Sequence, residues 1–242
     1  MRLLAWNIRA GGGARLDGIA TALARHDADV LVLSEYHAGE AGKRLRGALA
    51  ALGYAHMTTT EPAPGRKGVL IAARRKFREL GPVNSALPEP YRLIAVDFGA
   101  LHLAGVYMPN LLVKAPYWEA LLAHLTPRSD GRAIAIGDFN TCRAFLDEAG
   151  KTDRTAHFMD RIAAIGFQDL WRQRHPERLE FSWFSHRNNG FRIDHAFLSR
   201  HLAARAGEIA YSHTEREARL SDHSAMCVDL AARRRGNPAG SA

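Results

Sequence analysis

Two apolar runs of strand length, Val30-Leu31-Val32-Leu33 and Ala133-Ile134-Ala135-Ile136, each break off into oxygen-bearing side chains. Ser34-Glu35 follows the first and Gly137-Asp138-Phe139-Asn140 the second. Such runs read as buried strands. In the second, glycine frees the backbone, and Asp138 and Asn140 then stand two residues apart. On a strand end that spacing puts a carboxylate and an amide on one side. Alone, the pair permits a metal site, a phosphate site or an ordinary turn.

The rest of the chain predicts where partners for that spot would come from. Leu3 to Asn7 reads as a strand, closed by Gly11-Gly12-Gly13, and Leu16, Ile19, Ala20 and Leu23 repeat at helical spacing. Leu45, Ala48, Leu49 and Leu52 mark a second helix that Gly53 stops. Strands are predicted over Tyr54–Met57, Gly68–Ala73, Arg92–Phe98 and Leu101–Tyr107, with Pro- and Gly-rich loops between. Tyr117, Leu121 and Leu125 give a third helix, and Asp153 to Ile165 a fourth, ended by Gly166. Strands return over Glu180–Phe184, Phe191–Leu198, Glu208–Tyr211 and Ser224–Leu230. Strand-helix pairs thus give way to strand runs, twice. This predicts an α+β class with two sheets face to face and helices outside. No linker divides the chain, so residues 1–232 are expected to form one domain. The 233–242 tail is expected to be disordered.

Nearly half of the 242 residues are hydrophobic, enough for a sizeable core. A formal net charge of +8 favours a polyanionic partner. Cys142 and Cys227 give no disulfide framework, and no stretch reaches membrane-span or signal length. A cytoplasmic, soluble monomer with no membrane partner is the expectation.

Polar residues recur at strand ends: Asn7, Glu35, Tyr107 with Asn110, Asp138 with Asn140, Asp194, and Asp222-His223. Carboxylate and amide oxygens are hard ligands suited to Mg²⁺ or Mn²⁺, and no Cys/His cluster has zinc spacing. Cleaving a phosphodiester requires charge on the non-bridging oxygens, an activated water and a proton for the leaving oxygen. A histidine held by an aspartate suits that work near neutral pH, and His223 is the residue for it. No nucleotide-binding glycine loop is present.

Taken together and in order, Leu4-Ala5-Trp6-Asn7-Ile8, Leu33-Ser34-Glu35, Gly105-Val106-Tyr107-Met108-Pro109-Asn110, Gly137-Asp138-Phe139-Asn140, Phe181-Ser182-Trp183-Phe184, Phe191-Arg192-Ile193-Asp194 and Ser221-Asp222-His223 resemble the endonuclease/exonuclease/phosphatase superfamily. Exonuclease III and the apurinic/apyrimidinic endonucleases are the most similar branch. The resemblance implies a DNase I-like four-layer αββα sandwich and a Mg²⁺-dependent phosphodiester hydrolase (Mn²⁺ being an alternative). Double-stranded DNA carrying abasic sites is the implied substrate, cut 5′ to the lesion, with 3′-5′ exonuclease activity alongside. Glu35 matches the principal metal ligand, Asn7 its support and Asp222 a further carboxylate near the metal. Asp138 and Asn140 match the pair that handles water and scissile phosphate. Tyr107 matches a phosphate-contacting hydroxyl, His223 the phosphate-contacting histidine and Asp194 its orienting aspartate. Asn110 matches a residue near the DNA backbone, and Trp183, Phe191 and Ile193 match the apolar lining of the sugar pocket.

Three positions depart from that pattern. Arg9 stands where an acidic residue is frequent, and either weakens a metal site or adds a phosphate contact. His37 stands where lysine is frequent and reads as a solvated loop histidine. The segment between Trp183 and Phe191 is short, which bears on substrate choice more than on the reaction. A less selective nuclease, or a phosphodiesterase for small molecules or lipid head groups, is the competing reading. Trp6 and Trp118 read as core and Cys142 as a small buried residue. Arg66-Lys67, Arg74-Arg75-Lys76 and Arg187 are candidates for tracking DNA phosphates, each alone reading as surface charge.

Overall fold

The strands form two six-stranded sheets whose central members are buried along almost their whole length. The computed structural model describes residues 1–148 and 153–230, leaving aside the side chains of residues 111 and 112; the 233–242 tail lies outside the described residues. The first sheet has the order β13-β14-β1-β2-β4-β3, from β1 (Arg2–Asn7), β2 (Val30–His37), β3 (His56–Thr58), β4 (Lys67–Ala73), β13 (Ala206–Ser212) and β14 (Ala225–Leu230). The second has the order β5-β6-β7-β8-β12-β9. Its strands are β5 (Arg78–Pro82), β6 (Leu93–Asp97), β7 (His102–Tyr107), β8 (Ala133–Asp138), β9 (Phe167–Asp169) and β12 (Asp194–Ser199). A separate hairpin joins β10 (Trp183–Phe184) to β11 (Gly190–Phe191). Each sheet has one parallel pair at its centre, β1/β2 and β7/β8, flanked by antiparallel neighbours.

The parallel pairs need crossovers, and helices supply them. Helix α1 (Leu16–His26) connects β1 to β2, and α3 (Ala115–Leu125) connects β7 to β8. Leu16, Ile19 and Leu23 of α1, with Leu45 and Leu49 of α2 (Glu40–Ala51), pack on Leu4, Trp6, Leu31 and Leu33 of the first sheet. Trp118, Leu121 and Leu125 of α3, with Phe158 and Ile162 of α4 (His157–Ala164), pack on Ala133, Ala135 and Phe197 of the second. Between the sheets lie Leu3, Ala5, Val30, Val32, Val69, Ile71, Leu103, Ile134, Ile136 and Leu198. Each of the Leu, Ile and Val side chains contributes about 1.5–3 kcal/mol on full burial. The order of layers is therefore helix, sheet, sheet, helix, as expected.

The structure corrects several boundaries. β2 does not end at Glu35; it runs to His37, with its pairing to β4 shifted between Ser34 and Tyr36. The fourth helix starts at His157 rather than Asp153, because the Asp153 carboxylate accepts the N–H and hydroxyl of Thr155 and turns the chain first. The strand expected over Glu180–Phe184 is only Trp183–Phe184, and Phe191–Leu198 is broken at Arg192-Ile193, where the Arg192 N–H bonds to Asp147 instead of a neighbouring strand. Strands β5 and β9 and three short helices, α5 (Leu170–Arg174), α6 (Arg200–Ala203) and α7 (Thr214–Glu217), occupy stretches where no element is predicted. No helix among the described residues is long and apolar enough to cross a membrane.

Candidate active site

Side chains of a strand alternate between faces, so each inner-face row that fills the intersheet core continues to the strand end. Leu3 and Ala5 lead to Asn7; Val30 and Val32 lead to Ser34; Ile134 and Ile136 lead to Asp138. Ala196 and Leu198 of β12 trace back to Asp194, Leu103 of β7 leads to Tyr107, and Val69 and Ile71 of β4 trace back to Lys67. The site is the polar end of the core itself. Register aligns it: Asp138 lies opposite Tyr107 on one side and Asp194 on the other.

The backbone is tailored at three points. Gly137 has φ +141°, and a Cβ there would lie 2.1 Å from the Val106 carbonyl oxygen, so only glycine lets β8 pass β7 at this place. Asn140 adopts φ +47° and Glu35 φ +59°, conformations uncommon for residues with side chains. The bulge at Glu35 turns its side chain to the inner face that strict alternation assigns to its neighbours.

Hydrogen bonds then fix the acidic groups. Asp138 Oδ2 accepts from Asn7 Nδ2 at 3.0 Å and from Asn140 Nδ2 at 3.4 Å, while Oδ1 accepts the Asn140 N–H at 2.9 Å. His223 Nδ1 lies 2.8 Å from Asp194 Oδ2, and Ser182 Oγ accepts the Ile193 and Asp194 N–H groups at 3.1 and 3.2 Å. Ser221 donates its hydroxyl to the Asn7 carbonyl at 2.6 Å and accepts the His223 N–H at 3.1 Å. Trp6 Nε1 donates to the His223 carbonyl at 3.0 Å. Glu35 Oε2 accepts the Ala10 N–H at 2.6 Å and the Lys67 ammonium at 2.5 Å, and the Tyr107 hydroxyl lies 3.3 Å from Oε1. Arg92 stacks behind the Tyr107 ring at 4.4 Å and is itself held by Glu89.

These surroundings set the charges. Burial pushes the Asp138 carboxyl well above the carboxylate range, against the pull of His223 and with help from Asp194. Burial opposes the His223 cation, but Asp194, Asp138 and Asp222 outweigh it and push the imidazole up to about 9. For Glu35, burial is outweighed by Lys67 and the Ala10 N–H, which keep it ionised and lower it. The site thus pairs a carboxyl poised to hold a proton with an imidazolium that already has one.

Asn7, Asp138 and Asn140 are joined by hydrogen bonds, as are Glu35 with Tyr107 and Asp194 with His223, at the same end of the core. Asp222 lies beside them, accepting Trp183 Nε1 at 3.3 Å, with exposed Arg9 at 4.0 Å. Trp183 stands 5.7 Å from Phe191 and 6.4 Å from the His223 ring, with Ile193 buried nearby in sequence. Asn110 is exposed at the end of the loop leaving β7. His37 is half-buried rather than solvated, and its Nε2 is buried without a hydrogen-bond partner among the described residues. Trp6, Trp118 and Cys142 are buried, as read. Lys67, expected at most to track phosphates, is the partner of Glu35; its place two before Val69 in an alternating strand carried that signal. Ser182 and Ser221 gave none beyond their motifs.

A metal fits this donor set. Glu35, Asp222 and Asn7 offer hard oxygens, and the Lys67 ammonium on Glu35 already marks a place that favours positive charge. A second, tighter group is Asp138, Asp194 and His223, whose ligand atoms lie within 4.8 Å of one another. There His223 Nδ1 is already engaged by Asp194, which suits a proton and phosphate-handling role better.

The profile of the Endonuclease/Exonuclease/phosphatase family matches residues 4–223, and the chain belongs to that family. Its fold is similar to that of a 3′ phosphatase, NExo, from Neisseria, solved bound to a product DNA hairpin: TM-score 0.82, 23% identity, covering 96% of this chain and 100% of that one. An AP endonuclease from Archaeoglobus fulgidus gives TM-score 0.83 at 20% identity, with the same coverages of 96% and 100%. A stretch of 137 residues is 34% identical to part of the transposon TX1 uncharacterized 149 kDa protein of Xenopus laevis. That match takes in 53% of this chain and 10% of the relative, so the chain spans about a tenth of that protein's length.

Proposed function

We propose that the chain is a divalent-metal-dependent hydrolase of DNA phosphodiesters that incises duplexes 5′ to abasic sites. The observation that carries the substrate is the aromatic floor of Trp183 and Phe191 beside His223. Aromatic faces next to that imidazole suit a sugar that has lost its base, and such a nucleotide leaves the duplex at least cost. The net charge of +8 supports a polyanion as partner, as do the DNA-processing proteins among its structural neighbours.

Asp138, with its raised carboxyl, takes the proton of the attacking water. His223 donates from Nε2 to a non-bridging phosphate oxygen while Asp194 holds Nδ1. Asn140 and Tyr107 line the phosphate, and Asn110 and Arg9 meet the flanking backbone. Glu35, Asn7 and Asp222 would hold Mg²⁺ or Mn²⁺, which when bound supplies positive charge to the scissile phosphate and leaving oxygen.

One observation favours a second reading, action at 3′ ends. The β10–β11 hairpin closes through Ser185 to Asn189, with Asn188 N–H bonded to the Ser185 carbonyl, and leaves little chain to overhang an intact duplex. Matched duplexes separate the two: one intact, one with an internal tetrahydrofuran site, one ending in a 3′-phosphate, each with Mg²⁺ and with EDTA. Incision confined to the tetrahydrofuran site and abolished by EDTA supports the proposal. Turnover of the 3′-phosphate alone moves it to end-processing, and equal cutting of intact DNA refutes abasic selectivity.

A further inference from the structure

A second constellation sits on the outer face of the first sheet, away from the residues described above. Cys227 Sγ, half-buried on β14, lies 3.6 Å from Nδ1 of His26, the last residue of α1. Nε2 of the same ring lies 2.7 Å from Oε1 of Glu215, a fully buried carboxylate on α7. Arg25 also binds that oxygen. Oε2 of Glu215 is buried without a hydrogen-bond partner among the described residues. Thiol, imidazole and carboxylate therefore stand in line, brought together from β14, α1 and α7.

We propose that Cys227 is a reactive thiol, paired with the His26–Glu215 couple, and a site of reversible oxidation by peroxides. Glu215 is ionised and buried, so it favours a proton on Nε2 and a cationic ring. The carboxyl end of α1 favours the same cation. The ring then points its other N–H at sulfur, the arrangement that makes a thiol nucleophilic. The neighbouring thiol and Glu215 together push the imidazole up to about 9 despite burial, and burial at Glu215 is outweighed by His26, leaving it at about 2. Arg2 is the further cation near the sulfur, and it stands with two acidic groups rather than alone. Arg2 on β1 is bound by Asp229 of β14 at 2.9 and 3.0 Å, and Glu208 of β13 also faces Arg2.

The chemistry balances without a cofactor. The thiolate attacks one peroxide oxygen, the O–O bond breaks, and the sulfur is oxidised to a sulfenic acid. The departing hydroxide takes the proton from His26 Nδ1 and leaves as water. A small thiol then condenses with the sulfenic acid, forming a mixed disulfide and releasing a second water.

Cys142 is the internal control, since burial pushes its thiol up to about 12. The native protein is treated with iodoacetamide across pH 5.5 to 9.5, and both cysteines are quantified by peptide mass spectrometry. Cys227 is expected to alkylate while the protein is folded, and Cys142 to react only after unfolding. In His26→Asn the rate of Cys227 alkylation at pH 7 is expected to fall about tenfold or more, with circular dichroism unchanged. Peroxide followed by dimedone is expected to label Cys227 alone. A wild-type Cys227 that resists alkylation until the protein unfolds overturns the proposal without any variant, and so does an alkylation rate that His26→Asn leaves unmoved.

Discussion

Replacing Asp194 by Asn tests the electrostatics of the site through one atom pair. The 2.8 Å contact to His223 Nδ1 survives in geometry, since the amide oxygen can still accept, but the charge goes. Burial disfavours the imidazolium, and the neighbouring carboxylates lift it from 6.5 to about 9, a net of roughly 3 kcal/mol in favour of the cation. Asp194 is foremost among the groups that lift it. Without it, burial is opposed only by Asp138 and Asp222, and the ring is expected to titrate well below the wild-type value. The assay is the ¹H–¹³C resonance of the His223 ring in metal-free protein between pH 5 and 10. The sign follows from linkage. A histidine raised in the folded state adds stability that is complete below its unfolded value near 6.5 and is lost as pH rises through about 9. Asp194→Asn should therefore cost roughly 3 kcal/mol in urea denaturation at pH 6 and far less at pH 10. An unchanged ring midpoint, or a stability loss independent of pH, would refute the reasoning.

Other perturbations follow from the same structure. Gly137→Ala is expected to lose roughly 3 kcal/mol or more, because its Cβ would meet the Val106 carbonyl at 2.1 Å; a thermal melt measures it, and a drop of only a degree or two contradicts the close packing. Asp169→Asn strips one of the two carboxylates that pair with fully buried Arg192, at 2.7 Å, and should cost about 3–5 kcal/mol. Asp147 and Asp169 are held below the usual carboxylate range, so their stabilisation is present above about pH 4 and lost as pH falls through their lowered values. Urea midpoints from pH 2 to 7 should therefore rise less steeply in Asp169→Asn than in the wild type. Glu35→Gln should keep the fold and weaken Mn²⁺ binding at least tenfold by calorimetry; equal affinity would remove Glu35 from the ligand set.

Residues that announced themselves in the sequence did so because chemistry and periodicity coincided. Ile134, Ile136 and Asp138 share one alternation, so the strand and the site were one signal. Asn7 and Tyr107 were legible in the same way. Lys67 carried that alternation too, yet a lysine beside Arg66 in a Gly-rich loop reads first as surface charge. Glu35 looked like a strand end because a bulge has no signature in β-branched or apolar spacing. β5, with Gly81 and Pro82 in five residues, and β9, three residues long, are edge strands whose pairing comes from neighbours rather than from pattern. The Arg192–Asp147–Asp169 cluster was invisible for a different reason. Its members lie far apart in sequence, and a buried ion pair is recognisable only when both partners are placed.

The continuation of core rows into the site has a consequence for quality control. A strand that slips by one residue turns its reactive side chain away and, in the same movement, turns its valines and isoleucines into water. Ile136 cannot face inward unless Asp138 does. For Asn7, Tyr107, Asp138 and Asp194, misplacement therefore arrives with a folding defect that chaperones and proteases recognise.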